Sequence, residues 1–363
     1  MHRNIHGLPM RTNIGVCHRY NCVASMPAVQ RLKSAISVLA LLLLTSAWSN
    51  AAPLLQRFAI ATIAAQDLDW IETHYGRHFD YRVRERGTVS AELAASWGAP
   101  AVAGRRYILL SPDSAPEVYV RAIESPRTEG YRALTSFGWN AIEIVVDDPD
   151  ALFESMRGSP FRVIGEPKPL PTIPSIRAFQ VVGNDEEVLY LTAETGDRSR
   201  SVLPDPKGRI GRIFIMVLAA TNPRATLDWY AERFALQPGA LRARPNPMIN
   251  RAQGIDLETP LPIATARLAE HGNLIEFDGY SANAIMRPVS KGELPPGVAM
   301  TSFAVPNLDA IRVEWITPPA RHPSAAYEGR RAATTRGPDG ELIELIESAP
   351  IEAAPIEAAP LAR

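Results

Sequence analysis

RFAIATIAAQDLDWIETHYGRHFDY, residues 57–81, lies without a gap over RIFIMVLAATNPRATLDWYAERFAL, residues 212–236. Arg57 falls on Arg212, Tyr75 on Tyr230, Phe79 on Phe234 and Tyr81 on Leu236. Each stretch opens on an apolar run and passes into a segment of helical spacing, with Leu68, Ile71 and Tyr75 recurring in the first copy. A duplication explains the match, and self-similarity settles the architecture before any single motif does.

Outward from the first copy, Tyr107–Ser111 and Glu117–Ile123 read as strands separated by Pro112 and Pro116. A second unit opens at Trp139: residues 140–146, NAIEIVV, form a strand, and Asp147-Asp148-Pro149-Asp150 start a helix. It continues through the proline-rich run 167–174 to strands at Ile176–Val182 and Val188–Thr192. Residues 196–208 are polar and aperiodic and read as a linker. After it the order repeats. Ile213–Ala220 is a strand, Arg224–Phe234 a helix, and Thr265–Gly279 a hairpin turning at His271-Gly272-Asn273. Met300–Val305 is a strand, Leu308–Ile311 opens a helix, and Leu342–Ile346 is a strand after the turn Gly337-Pro338-Asp339-Gly340.

The 363 residues suffice for two domains, and a net charge of −1 with 21% charged residues carries no nucleic-acid footprint. A small-molecule ligand is the expected partner; oligomeric state is left open. Arg31 and Lys33 precede the apolar run 35–48, and small residues follow to Ala51 and Ala52. That order is an export signal with cleavage near Ala51, giving a periplasmic or secreted protein, and the run is short for a membrane span of about 20 residues. Met26 is the expected start, within a leader 1–52. Cys17 and Cys22 lie in that leader, so the mature chain is expected to have neither thiol nor disulfide. The tail 349–363, built on a five-residue Ala/Pro/Glu repeat, cannot bury a core and is expected to be disordered.

GPDGELIEL at 337–345, the Asp228-Trp229-Tyr230 helix segment, and the openings AIEIVVDDPDAL at 141–152 and MTSFAVPNLDAI at 300–311 carry a family resemblance. Residues 56–348 resemble the vicinal oxygen chelate superfamily, which includes glyoxalase I, extradiol dioxygenases and bleomycin-binding proteins. The resemblance implies an α+β fold of four βαβββ modules, paired into two curved, mostly antiparallel sheets with flanking helices. It implies the pairs 56–195 and 209–348, each sheet holding a ligand on its concave side. Family members usually place a divalent metal there, on the first and last strands of each module.

Carried over residue by residue, those positions fall near Arg57 and Val120 and on Ala141 and Tyr190 in the first domain. In the second they fall near Arg212 and on Glu276, Met300 and Glu344. None in the first half is a usual ligand, and no imidazole accompanies Glu276 and Glu344. No cofactor is therefore expected; if any divalent ion binds, Glu276 and Glu344 would hold it, and an iron dioxygenase is disfavoured. If those two glutamates converge, one holds a proton and can act as acid or base, with Arg212 neutralising the pair. Strand alternation puts Ala141, Glu143 and Val145 on one face, so Glu143 is a candidate base with Tyr190 supplying a hydroxyl nearby. Asn140, Arg57 and Arg212 are candidate substrate contacts. His74, His78, His271 and His322 read as packing or surface residues, and each glutamate has a structural reading beside the catalytic one. The expected function is small-molecule binding with a lyase- or isomerase-type reaction that uses no histidine-bound metal. A metal-dependent glyoxalase or dioxygenase and a non-catalytic binding protein are the alternatives.

Overall fold

The computed structural model describes residues 52–348; the leader, with Met26, both cysteines and the cleavage point near Ala51, and the tail 349–363 lie outside the described residues. The first module comprises β1 (Arg57–Ala65), α1 (Leu68–Phe79), β2 (Tyr81–Thr88), a short α2 (Ala91–Ser96), β3 (Arg106–Pro112) and β4 (Tyr119–Glu124). The second comprises β5 (Gly138–Val146), α3 (Pro149–Ser155), β6 (Arg162–Pro169), β7 (Ile176–Val182) and β8 (Val188–Glu194). In the third are β9 (Ile210–Ala220), α4 (Pro223–Phe234), β10 (Gln237–Pro238), β11 (Arg242–Pro245), α5 (Pro247–Ala252), β12 (Pro260–Arg267) and β13 (Leu274–Gly279). The fourth holds β14 (Gly297–Val305), β15 (Ala320–Arg321), β16 (Arg331–Arg336) and β17 (Leu342–Glu347).

The duplicated stretch folds alike in both copies. α1 and α4 each run 12 residues. Asp67 caps α1 by accepting from the Asp69 and Trp70 amides, and Asn222 caps α4 by accepting from the Ala225 amide. Each helix ends on a residue in the left-handed region, Asp80 at φ 56° and Ala235 at φ 54°.

Two mixed, mostly antiparallel sheets result. The first runs β15-β16-β17-β14-β1-β4-β3-β2, and the second runs β10-β12-β13-β9-β5-β8-β7-β6, with β11 also pairing β12. The first sheet therefore joins modules one and four, and the second joins modules two and three. This pairing differs from 56–195 with 209–348: β1 runs antiparallel to β14, and β5 antiparallel to β9 across residues 196–208. All four opening strands are largely buried on both faces, so nothing in their pattern says which will be neighbours.

Modules adjacent in sequence are joined instead through helices. The Tyr75 hydroxyl on α1 donates to Glu187 Oε1 before β8 at 3.1 Å, and the Tyr230 hydroxyl on α4 donates to Glu341 Oε1 before β17 at 2.8 Å. The main apolar core, with Tyr75, Phe79, Phe179, Tyr230, Phe277 and Phe303, draws on all four modules. The concave faces carry their own smaller clusters.

Leu308–Ile311 does not open a helix; a single 3₁₀ turn, Leu308–Ala310, stands there. The following residues, Ile311-Arg312-Val313-Glu314-Trp315-Ile316-Thr317, are rich in β-branched side chains and run into Pro318-Pro319, which disfavours propagation. Among the described residues no helix is long and apolar enough to cross a membrane.

Candidate functional site

On the second sheet, Glu143 of β5 stands in register with Tyr190 of β8 and with Ile215 of β9. Val217, two residues along β9, is in register with Ala141 on one side and Glu276 of β13 on the other. Alternation then puts Glu143, Tyr190, Glu276 and Asp278 on one face. They are set among Ala141, Val182, Val188, Val217, Ile249 and Leu261. Met248 of α5 reaches down to this face beside β6: a Cβ on Gly165 would lie 2.1 Å from Gln180 Oε1 and 2.9 Å from Met248 Sδ.

The polar groups of this face are poorly satisfied. Glu143 accepts one hydrogen bond, from Thr192 Oγ1 at 2.5 Å. The Tyr190 and Tyr280 hydroxyls, Asp278 Oδ2 and Gln180 Oε1 are buried with no partner, and Asn246 approaches Tyr190 outside hydrogen-bonding geometry. Burial, with the Glu276 charge adding to it, pushes Glu143 up to about 8, while the Thr192 hydrogen bond pulls it back somewhat. Burial also raises the half-buried Glu276 and, with Glu276 beside it, Asp278; Arg244 tempers both. At neutral pH these carboxyls hold protons between them. A cavity of about 410 Å³ opens against the same cluster, walled by Leu134, Ile164, Val182, Met248 and Ala252.

The first sheet is built differently. Thr62 of β1 is in register with Arg121 of β4, and Ser302 of β14 with Glu344 of β17. Arg121 is 2% exposed and Glu344 1%, and they form an ion pair at 3.1 Å. Arg121 Nε and one terminal nitrogen donate to Thr62 Oγ1 at 3.1 and 2.9 Å, and the other terminal nitrogen donates to the Tyr327 hydroxyl at 2.6 Å. Glu344 Oε1 accepts from Trp97 Nε1 at 2.7 Å and from Tyr327 at 2.6 Å, while Oε2 accepts from Ser302 as well as from Arg121. The guanidinium carbon also lies 4.4 Å from the centre of the Trp97 ring. Burial works against the Glu344 charge, yet Arg121 and the three donors outweigh it and hold the carboxyl below its ordinary range.

No family model matches the sequence, and no curated protein matches it in sequence. Solved structures do match in shape. Glyoxalase I from Zea mays is similar at a TM-score of 0.53 and 15% identity, covering 80% of this chain and 92% of its own. A Bacillus subtilis protein with the provisional description of dioxygenase is similar at a TM-score of 0.54 and 12% identity, covering 83% and 87%. The fold is that of the vicinal oxygen chelate superfamily.

Vicinal oxygen chelate proteins usually hold a metal on the concave face; the first sheet's donors are already engaged, and the second sheet offers carboxylates without an imidazole. On the first sheet every lone-pair direction of Glu344 is taken by a donor, and a guanidinium already supplies the positive charge. The Met300 position of that sheet is apolar and fully buried. On the second sheet, Ile215 and Val217 of β9 offer no donor atom. Among the described residues no group of three or more His, Cys, Asp or Glu side chains is placed to hold an ion. His74 and His78 stack at 6.0 Å beside Trp70 and Phe161.

The predicted site residues divide accordingly. Glu143, Tyr190 and Glu276 come together on the second sheet. Glu344 does not converge with Glu276: the two lie on different sheets, because β17 pairs β14 and β13 pairs β9. Arg212 neutralises neither. It donates to Asn273 Oδ1 at 3.3 Å and His271 O at 2.8 Å, and with Arg57 it lines a separate surface pocket near Pro204–Lys207. Arg57 itself lies 3.7 Å from Glu270. Asn140 is buried and donates to the Ser136 and Gly138 carbonyls, one position off the face that carries Glu143. Asp278, Tyr280, Thr192 and Arg121 are additions that the sequence reading missed. Arg121 carried a signal, as the one charge inside the apolar run 118–123.

Proposed function

We propose that the chain binds a small organic molecule on the concave face of the second sheet and moves protons on it, as a lyase or isomerase does. The observation that carries this reading is the set of buried, unpartnered oxygens, Tyr190 Oη, Tyr280 Oη and Asp278 Oδ2, on the face that also holds Glu143. Of the thirteen such atoms among the described residues these three gather on one face, with Gln180 Oε1 on the neighbouring strand, and a polar ligand there would satisfy them. Glu143 suits a proton carrier: its acid form donates to an oxygen of the bound molecule, and its carboxylate then takes a proton from the adjacent carbon. Tyr190 and Tyr280 would hold the oxygen on which charge develops. Glu276, half-buried, would exchange the proton with solvent. No step requires a metal.

The test is identification, by mass spectrometry, of molecules that co-purify with the protein, followed by turnover of the identified compound. Glu143→Gln is expected to retain binding and lose turnover by a factor of about 100 or more. Unchanged turnover in both Glu143→Gln and Glu276→Gln would remove the carboxyl base. Tight binding with no product from the wild type would make the chain a sequestering protein. The charged and apolar leader supports export, which N-terminal sequencing of the mature protein checks.

A further inference from the structure

The cavity beside the second-sheet site has two kinds of wall. Leu134, Ile164, Val182, Met248 and Ala252 make most of it apolar, while Arg132, Arg162 and Arg251 stand on its lining with a single carboxylate, Glu186. Glu186 is already engaged: its Oε2 accepts from the Ala133 amide at 2.8 Å and lies 3.3 Å from Arg162. Arg132 and Arg251 make no ion pair among the described residues. The lining thus carries two uncompensated positive charges on two separate segments, the loop before β5 and α5. An excess of one sign around a low-dielectric wall attracts the opposite charge.

The backbone supports a built cavity rather than a gap in packing. Leu134 adopts φ 62°, a region that a bulky side chain seldom visits and that is retained where the surroundings enforce it. Its carbonyl accepts from Gln253 Nε2, just beyond α5, at 3.3 Å, and its side chain is 3% exposed against the cavity. The loop is therefore tied to the helix that closes the opposite side.

We propose that the ligand of this face is an anion with an apolar body, its carboxylate or equivalent group held at Arg132 and Arg251 and its body lying along Leu134, Ile164, Val182 and Met248. The inference rests on the reading of the second sheet as a small-molecule site and adds the chemical class. Leu134, Ile164, Val182 and Met248 pack in the same apolar cluster as Tyr190, so the body of such a ligand would lie against that cluster while its anionic end stays at the arginines. Arg244 acts on Glu276 and Asp278 through its charge alone, and its side chain donates to Thr172 Oγ1 at 3.5 Å.

Phenylbutanoate, phenylbutanol and phenylbutylammonium share one apolar body and differ in charge, so calorimetric titration of the full chain with each tests the class. Phenylbutanoate is expected to bind best and to weaken as salt is raised. The double variant Arg132→Ala/Arg251→Ala is expected to weaken it about tenfold, with phenylbutanol unaffected. These arginines are exposed, so the variant keeps its fold. If the alcohol binds as tightly as the acid, or the double variant binds the acid unchanged, selection for an anion is refuted while the small-molecule reading stands. Ala252→Phe, which fills the cavity from α5, is expected to block all binding. If no probe binds the wild type, or if Ala252→Phe leaves binding intact, the cavity is not the ligand site and both readings fail.

Discussion

Glu143 is the one charge in the apolar strand β5, and its surroundings give it one hydrogen bond and a carboxyl neighbour. The folded group keeps its proton up to about pH 8. In the unfolded chain the same group ionises near pH 4.3, roughly. Across that window the folded state binds the extra proton, so this group makes stability fall as pH rises, with the full loss reached above the folded value. Glu143→Gln removes the effect: its thermal midpoint relative to wild type is expected to climb from pH 5 to pH 9, roughly, as the wild-type group ionises. Parallel curves for the two proteins would show that Glu143 is not held protonated. Glu344 behaves in the opposite sense, because Arg121 and its other donors hold its carboxyl below the ordinary range. Arg121→Met strands a buried carboxylate and is expected to cost about 3–5 kcal/mol in urea unfolding, most of it restored in Arg121→Met/Glu344→Gln. If the double variant is no more stable than the single one, the pair is not a self-contained ionic plug. Glu143, Tyr190 and Glu276 were legible as residues because ionisable and phenolic groups stood where strand alternation made a face. Their separation from Glu344 was not, since it depends on which strands are neighbours.

The elements most legible in the sequence were those that repeat. Tyr75 and Tyr230 occupy matching positions of α1 and α4, and each finds a buried glutamate in the turn before the last strand of the next module. The turns repeat the device as well: a Cβ on Gly183 would lie 1.9 Å from Glu187 Oε1, and one on Gly337 1.8 Å from Glu341 Oε1. Both glycines are required by close approach rather than by backbone angle. Gly183→Ala and Gly337→Ala are each expected to destabilise by about 1–3 kcal/mol, measured by chemical denaturation, because the displaced glutamate loses its tyrosine partner. A small effect at either site would mean that the turn relaxes without moving the carboxylate. The fourth module was misread for the complementary reason. A helical opening at Leu308–Ile311 was visible, while the β-branched run and prolines that stop it lay downstream of the signal.

At the scale of the whole molecule, two kinds of bond cross between modules, and they run between different partners. Strand pairing joins one with four and two with three, whereas the tyrosine–glutamate contacts join one with two and three with four. The four modules therefore close a ring, with Trp139 of β5 also donating to the Leu342 carbonyl of β17 at 2.8 Å across the sheets. Sequence order suggests a cut in the linker 196–208, but that cut opens both sheets at their central antiparallel pairs, β1 with β14 and β5 with β9. Each fragment would expose two long apolar strand edges, which are templates for association. Expressed alone, 52–195 and 209–348 are expected to self-associate or aggregate rather than give folded monomers. Coexpressed, they are expected to assemble into a one-to-one complex with the circular dichroism and ligand binding of the intact chain. Two independently folded, monomeric halves would contradict the ring, because each would need its own modules to pair within one sheet.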